Sequence, residues 1–147
     1  MFCNWEGPLI QGLSHMTFIV RDLDRMEAIL TAVFDGRKVY DSGDDTFSLS
    51  KERFFLIGEG NAPDWVAVME GEPLPTRTYN HIAFKIADND YDDYVERVQK
   101  VGLQVREGRS RVEGEGQSIY FYDDDNHMFE LHTGTLDDRL KRYAKGR

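Results

Sequence analysis

The stretch GLSHMTFIV at residues 12–20 returns in altered form as TYNHIAFKI at residues 78–86. Both copies place a polar residue and a histidine before alternating apolar positions, which is the pattern of a half-buried β-strand. The separation between the two histidines, His15 and His81, is close to half the length of the chain. A repeat at this spacing predicts one structural module that occurs twice.

A segment with helical periodicity follows each copy. In the first half its apolar face spans residues 23–34, with Asp22 as the predicted N-cap and Gly36 as the predicted end. In the second half a similar face spans residues 90–102. Strand-like runs then follow each helix: TFSLS, RFFLIG and WVAVMEG in the first half, and LQVRE, SIYFYD and HMFELHT in the second.

These elements predict an α+β fold made of paired βαβββ modules. We expect one domain at residues 12–147, with modules at about 12–71 and 77–134 and a helical tail at the C-terminal end. The segment GEPLPT at residues 71–76 is the predicted linker between the modules, and residues 1–11 are an N-terminal extension.

Composition limits the classes of function. The chain has 147 residues and is 40% hydrophobic, enough for one sizeable core. Its formal net charge of −9 argues against a nucleic-acid footprint and against an anionic membrane surface. No apolar run approaches a membrane span, and a single cysteine, Cys3, forms no internal disulfide. We therefore expect a cytoplasmic protein whose partner is a small molecule or another protein.

Strand alternation sorts the polar residues by face. His15 and Thr17 lie on one side of the first repeated strand, His81 on the same side of the second, and Glu130 opposite its two apolar neighbours in the last strand. Two histidines and a carboxylate suit a divalent metal with open positions. The competing interpretation is two ordinary surface histidines, but a duplicated position and a carboxylate in a buried strand favour metal ligands.

Two other metal chemistries fit parts of this pattern. The same two-histidine, one-carboxylate set suits an Fe(II) oxygenase, which iron content and catechol turnover would reveal. The acidic run DDDNH at residues 123–127 invites a calcium interpretation. It lacks the glycine and the final glutamate of an EF-hand loop, so we expect a tight turn with a solvated acidic face.

A motif in the second half, RVEGEGQSIYFYDDDNHMFELHTGT at residues 111–135, carries a family resemblance. Together with His15, His81 and Glu130 on paired modules, it resembles the vicinal oxygen chelate superfamily, also called the glyoxalase/bleomycin resistance/dioxygenase superfamily. Within it the chain is similar to the fosfomycin resistance proteins, most of all the FosX-type hydrolases, over about residues 12–143. The resemblance implies Mn²⁺, or another divalent metal, held by those three residues. It also implies a module-exchanged homodimer, with His15 from one chain and the other two ligands from its partner.

The resemblance also implies a reaction. Members of the family open the epoxide of fosfomycin either with a thiol or, in the hydrolases, with water at C1, which gives a diol phosphonate and antibiotic resistance. The base that activates this water corresponds to Glu52 in SLSKERFFLIG, at the start of an apolar strand. The competing interpretation is a surface glutamate in a turn between Lys51 and Arg53. We predict a metal-dependent epoxide hydrolase. The alternatives are a thiol transferase of the same fold, an enzyme for another phosphonate or epoxide, and a non-enzymatic drug-binding module.

The phosphonate of such a substrate needs a local cationic cradle. By resemblance Thr17, Ser118, Tyr120 and Arg139 contact the phosphonate or the oxirane, and Arg111 is a weaker candidate. Arginine offers a forked match to phosphonate oxygens, and glycines of the GEG loop allow backbone N–H groups to approach. The loop departs from that of relatives that bind potassium, so no monovalent cation is expected. The competing interpretation is a solvated loop and helix end.

Overall fold

The computed structural model describes residue 7, residues 9–106 and residues 116–145. A strand, a helix and further strands follow one another twice in this part of the chain, and a final helix comes after them. In chain order the elements are β1 (His15–Val20), α1 (Leu23–Phe34), β2 (Arg37–Asp41), β3 (Glu52–Ile57), β4 (Asp64–Glu70), β5 (His81–Lys85), a 3₁₀ turn (Asp88–Asp90), α2 (Tyr91–Lys100), β6 (Ser118–Tyr122), β7 (Met128–His132) and α3 (Leu136–Lys145).

The strands form two sheets with related topology. The larger sheet has the order β1-β4-β3-β2, and the smaller sheet has the order β5-β7-β6. In the larger sheet β1 pairs in parallel with β4, and β3 pairs antiparallel with β4. In the smaller sheet β5 pairs in parallel with β7, and β6 pairs antiparallel with β7. This shared pattern confirms the predicted α+β fold with a repeated module. None of the helices in the described residues is long and apolar enough to cross a bilayer.

Helix α1 begins where the sequence predicts. The Asp22 side chain accepts a hydrogen bond from the backbone N–H of Arg25 at 3.1 Å, which satisfies one of the orphan donors of the first turn. The helix ends at Phe34, and the left-handed residue is Asp35, with φ of 53°, instead of the predicted Gly36. Aspartate tolerates this conformation, while a Cβ at Gly36 would lie 3.0 Å from the backbone oxygen of Leu30.

The core is continuous between the two modules. The Phe34 ring at the end of α1 lies 4.9 Å from Phe84 of β5, 5.6 Å from Phe129 of β7 and 6.0 Å from Phe121 of β6, measured between ring centroids. These rings are tilted relative to one another, as packed aromatic side chains prefer. The apolar face of the first module therefore packs directly against the smaller sheet.

One predicted strand is wrong. The alternation in TFSLS predicts a strand, but residues 46–50 contain bends and no strand. Phe47 and Leu49 are 76% and 88% exposed, so no element in the described part of the chain buries the apolar side of the alternation. The strand that follows α1 is instead β2, whose side chains are mostly exposed and show no apolar alternation. Tertiary pairing with β3, rather than local pattern, forms it.

The prediction of a strand in LQVRE is also wrong within the described residues. This segment forms a single bridge, between Arg106 and Tyr120 of β6. Its first residue, Leu103, still donates its backbone N–H to Val98 of α2, so the chain is leaving the helix where the strand was expected to begin.

The turn between β6 and β7 is organised by one buried carboxylate. Asp123 is 2% exposed and accepts hydrogen bonds from the backbone N–H groups of Asp125 and His127, both at 2.9 Å. Its second oxygen lies 2.8 Å from Nδ1 of His127. The acidic run therefore forms a tight turn, as predicted, and this turn sets the register of the two strands that carry the candidate site. The predicted solvated acidic face is wrong for two of its three aspartates, because Asp123 and Asp125 are buried and accept hydrogen bonds.

We expect the Asp123→Ala substitution to lower the free energy of unfolding by about 2–4 kcal/mol, because it leaves two backbone donors without an acceptor. Urea denaturation followed by circular dichroism measures this change. The matched control is Asp124→Ala, which removes a partly exposed ion pair with Arg25 and is expected to cost less than about 1 kcal/mol. Equal losses in both variants would contradict this role for Asp123.

Candidate metal centre and active site

Glu130 lies in the middle of the smaller sheet. It is flanked in register by Ala83 of β5 and Tyr120 of β6. Its side chain faces away from Phe129 and Leu131, which are buried in the core, and Glu130 itself is only 5% exposed. A carboxylate at this depth requires hydrogen-bond donors or a cation, so its surroundings define a site.

His81 is the first partner of this carboxylate. Its Nε2 lies 2.9 Å from Oε1 of Glu130, and its Nδ1 lies 2.7 Å from the backbone oxygen of Tyr79. A carbonyl oxygen only accepts, so Nδ1 carries a proton. In the neutral ring Nε2 is then an acceptor, and it faces the carboxylate oxygen Oε1 of Glu130. Because both atoms are acceptors, a proton or a metal ion is needed between them. Fixing Nδ1–H on a carbonyl is also how proteins orient a histidine that binds metal through Nε2.

Ser118 and His132 hold the other carboxylate oxygen. The Ser118 hydroxyl donates to Oε2 of Glu130 at 2.5 Å and lies 2.7 Å from Nδ1 of His132, which is itself 3.3 Å from the same Oε2. His132 is not among the residues predicted for the site, although strand alternation puts it on the face of Glu130, two residues further along β7. The register that sets Ser118 opposite His132 brings the three groups together.

Tyr120 adds a neutral donor beside Glu130. Its phenol lies 3.3 Å from the hydroxyl of Tyr79, which reaches over from the segment before β5. Burial raises the pKa of Tyr120 above its ordinary value, and the hydrogen bond with Tyr79 and the charge of Glu130 act in the same direction. The phenol therefore stays protonated near neutral pH and is available to donate to an anionic substrate.

The larger sheet carries a second polar set. His15, Thr17 and Ile19 of β1 lie on one face of this sheet. Ile19 is paired with Met69 of β4, and Met69 is paired in turn with Glu52 of β3, so Glu52 lies on the same face. Glu52 thus shares the face of His15 without being its neighbour. This position suits a base that acts on a water molecule better than a metal ligand.

Glu52 is buried at the start of β3, with 9% exposure. The alternative of a surface glutamate in a turn is therefore wrong. Two hydrogen bonds fix the Glu52 backbone to Ser42. The Glu52 N–H donates to the Ser42 hydroxyl, and the Ser42 N–H donates to the backbone oxygen of Glu52, both at 3.0 Å. The next side chain, Arg53, pairs with Asp24 and Glu27 of α1 and so does not neutralise the Glu52 carboxylate.

His15 is exposed at the edge of the larger sheet. Its ring stacks on Trp65 with 4.2 Å between centroids, and its Nδ1 lies 2.9 Å from the Ser14 hydroxyl. In residues 9–106 and 116–145 no three acidic, histidine or cysteine side chains are grouped as a metal site. A single chain therefore brings together two of the three predicted ligands, His81 and Glu130, and leaves His15 on the other sheet.

The predicted phosphonate contacts fall into three groups. Ser118 and Tyr120 surround Glu130, and Thr17 is exposed on the face of His15. Arg139 lies on α3, and within the described part of the chain its guanidinium forms no ion pair with a carboxylate, Glu130 included. Arg111 lies outside the described residues.

Comparison with known proteins identifies the family of this chain. A family model of the Glyoxalase/Bleomycin resistance protein/Dioxygenase superfamily matches residues 12–131. The chain is 67% identical over 138 residues to the fosfomycin resistance protein FosX of Mesorhizobium japonicum, covering 94% of this chain and 96% of that protein. The chain belongs to the FosX family of fosfomycin resistance proteins.

Other members of the superfamily bear on the chemistry of this FosX relative. A variant of FosX from Listeria monocytogenes has been solved in complex with Mn(II) and 1S,2S-dihydroxypropylphosphonic acid. Its TM-score is 0.81 and its identity 51%, and the match covers 92% of this chain and 99% of that one. The metallothiol transferase FosB of Lysinibacillus sphaericus is more distant, at 34% identity over 92% of both chains.

Proposed function

We propose that this protein hydrolyses fosfomycin by adding water to C1 of its epoxide ring, in a reaction that depends on Mn²⁺. The observation that carries the proposal is the FosX structure holding Mn(II) together with a dihydroxypropylphosphonic acid, at 51% identity to this chain. That diol is the compound formed when water opens an epoxypropylphosphonic acid. The reaction would remove the reactive ring of the antibiotic and so provide resistance.

The residues present fit a divalent metal. Two imidazoles and a buried carboxylate form a donor set with open positions, and Nε2 of His81 already faces Oε1 of Glu130 at 2.9 Å. We propose His15, His81 and Glu130 as the ligands. A metal bound there supplies Lewis acidity toward the epoxide oxygen and charge stabilisation as the ring opens. Ser118 and His132 hold the Glu130 carboxylate in its orientation.

Glu52 is the proposed base. It removes a proton from a water molecule whose oxygen forms a bond to C1, while the C1–O bond of the ring breaks. The electron pair of that bond stays on the former ring oxygen, which takes up a proton, and the proton held by Glu52 returns to solvent. Atoms and charge balance, and the net change is the addition of one water molecule.

We also propose which residues contact the phosphonate of the substrate. Tyr120 lies beside Glu130 as a protonated donor, and Thr17 lies on the face of His15, so both suit contacts with an anionic phosphonate. We assign Ser118, Arg139 and Arg111 to the same cradle by resemblance. Because the Ser118 hydroxyl also donates to Glu130, it would link the substrate to the metal carboxylate.

We propose a homodimer that completes the metal site. The support is that His15 lies on the larger sheet while His81 and Glu130 lie on the smaller one, so a second chain is the natural source of the third ligand. Exposed apolar side chains on the first module, among them Leu13, Phe47 and Leu49, supply surface for such contact. We also propose a cytoplasmic location, in keeping with a chain that has one cysteine.

Isotope labelling tests the proposed reaction. Purified protein, Mn²⁺ and fosfomycin are incubated without thiol in H₂¹⁸O, and the product is analysed by mass spectrometry and NMR. We expect a diol phosphonate with a single ¹⁸O atom on C1. Label on C2 would contradict attack at C1, and the absence of a labelled diol would contradict hydrolysis.

A further inference from the structure

A cavity of about 440 Å³ lies beside the smaller sheet and outside the site described above. Its wall includes Arg77, Gln104, Arg106 and Tyr122, and we call it the arginine cavity. The guanidinium carbons of Arg77 and Arg106 lie 4.5 Å and 5.4 Å from the centroid of the Tyr122 ring. The ring is fixed in turn, because its hydroxyl donates to the backbone oxygen of Thr78 at 2.7 Å. Two positive charges are therefore held at one place.

No carboxylate among the residues that the structure describes neutralises these two charges. In the described part of the chain neither Arg77 nor Arg106 forms an ion pair with a carboxylate. The acidic groups in the cavity wall are engaged elsewhere, since Asp124 pairs with Arg25 at 2.7 Å and buried Asp123 holds the turn. In a chain with a net charge of −9, two guanidiniums that have no carboxylate partner among the described residues make a local attraction for anions.

Arg106, in the wall of the arginine cavity, is linked by strand pairing to Glu130 of the metal pair. Arg106 forms a bridge with Tyr120, and Tyr120 is paired in register with Glu130. Residues opposite one another in antiparallel pairs share a face, so Arg106 lies on the face of Glu130, about 10 Å away across two strand spacings. An anion bound to Arg106 would therefore lie on the same face of the smaller sheet as the candidate metal centre.

We propose that Arg77 and Arg106 form an anion-capture site that takes a phosphonate dianion before it reaches the metal centre. The forked guanidinium matches phosphonate oxygens, and the cavity has room for a small phosphonate with its water. This inference rests on the proposed function for the identity of the phosphonate. The site raises the rate of substrate capture and does not take part in ring opening.

The test compares the Arg77→Gln/Arg106→Gln double variant with Arg37→Gln/Lys100→Gln, which removes the same two charges from exposed positions elsewhere. Hydrolysis of fosfomycin is measured with Mn²⁺ at low and high salt. We expect kcat/KM of the first variant to fall about 10-fold at low salt with kcat unchanged, and the deficit to shrink at high salt. An equal change in both double variants, or a fall confined to kcat, would overturn the proposal.

Anion binding to the arginine cavity can be measured independently of fosfomycin turnover. Methylphosphonate is titrated into metal-free protein and followed by its ³¹P line width. We expect binding to the wild type and to the control variant, and its loss from the Arg77→Gln/Arg106→Gln variant. Equal binding to all three proteins would refute the capture site. If the wild type leaves fosfomycin intact, the proposed function fails, and methylphosphonate binding still decides the question of the cavity.

Discussion

The Glu52→Gln variant is expected to form the diol phosphonate about 10²–10⁴-fold more slowly than the wild type, the range that a positioned general base contributes. Glutamine has nearly the same shape as glutamate but does not take up the proton of the attacking water. The rate is measured from the ³¹P signals of substrate and product at saturating Mn²⁺.

The fold of this variant should be unaffected. Both hydrogen bonds between residue 52 and Ser42 involve backbone atoms of residue 52, so the substitution leaves them in place. Glu70→Gln is the matched control, because Glu70 is an exposed glutamate at the end of β4 in the same sheet. Unchanged turnover in the Glu52→Gln variant, with Mn²⁺ binding intact, would remove Glu52 from the reaction.

Substitution of a proposed metal ligand is the second change with a large expected effect. We expect His81→Ala and Glu130→Gln to weaken Mn²⁺ binding by more than about 100-fold, since even the partners of metal ligands contribute 10–100-fold. Electron paramagnetic resonance of free Mn²⁺ measures this affinity without reference to turnover. His127→Gln is the control, because His127 is held by Asp123 in the turn and not by Glu130. Wild-type affinity in the Glu130→Gln variant would contradict the assignment.

A mixed dimer tests how the ligands are shared. His15→Ala and His81→Ala chains carrying different affinity tags are expressed together, and the heterodimer is purified through both tags. If each metal site combines His15 of one chain with His81 and Glu130 of the other, one of the two sites is intact. The heterodimer should then have about half the wild-type activity, while either variant alone is inactive. An inactive heterodimer would place all three ligands in one chain.

Much of this fold could be predicted because strand faces obey a period of two. The alternation around Glu130 predicts that Phe129 and Leu131 are buried and that the carboxylate faces the other way, which the structure bears out. Helix α1 was predictable for a similar reason, since its apolar residues recur with helical period and Asp22 is a suitable cap.

The features that the sequence did not reveal depend on pairing between distant segments. TFSLS alternates like a strand, yet Phe47 and Leu49 remain exposed and the segment forms no strand. The contact of His132 with Ser118 depends on the register of β6 against β7, which residue pattern alone leaves open. Arg106 reaches the face of Glu130 through a single bridge, and no local motif marks it.

The central claim is that water, and not a thiol, opens the epoxide. The most direct measurement incubates the protein with Mn²⁺ and fosfomycin, with and without glutathione, and follows the phosphonate by ³¹P NMR. We expect the same diol signal at the same rate in both samples, and no signal from a thiol adduct. An adduct that appears only with glutathione, with fosfomycin unchanged in its absence, would exclude hydrolysis and make the protein a thiol transferase.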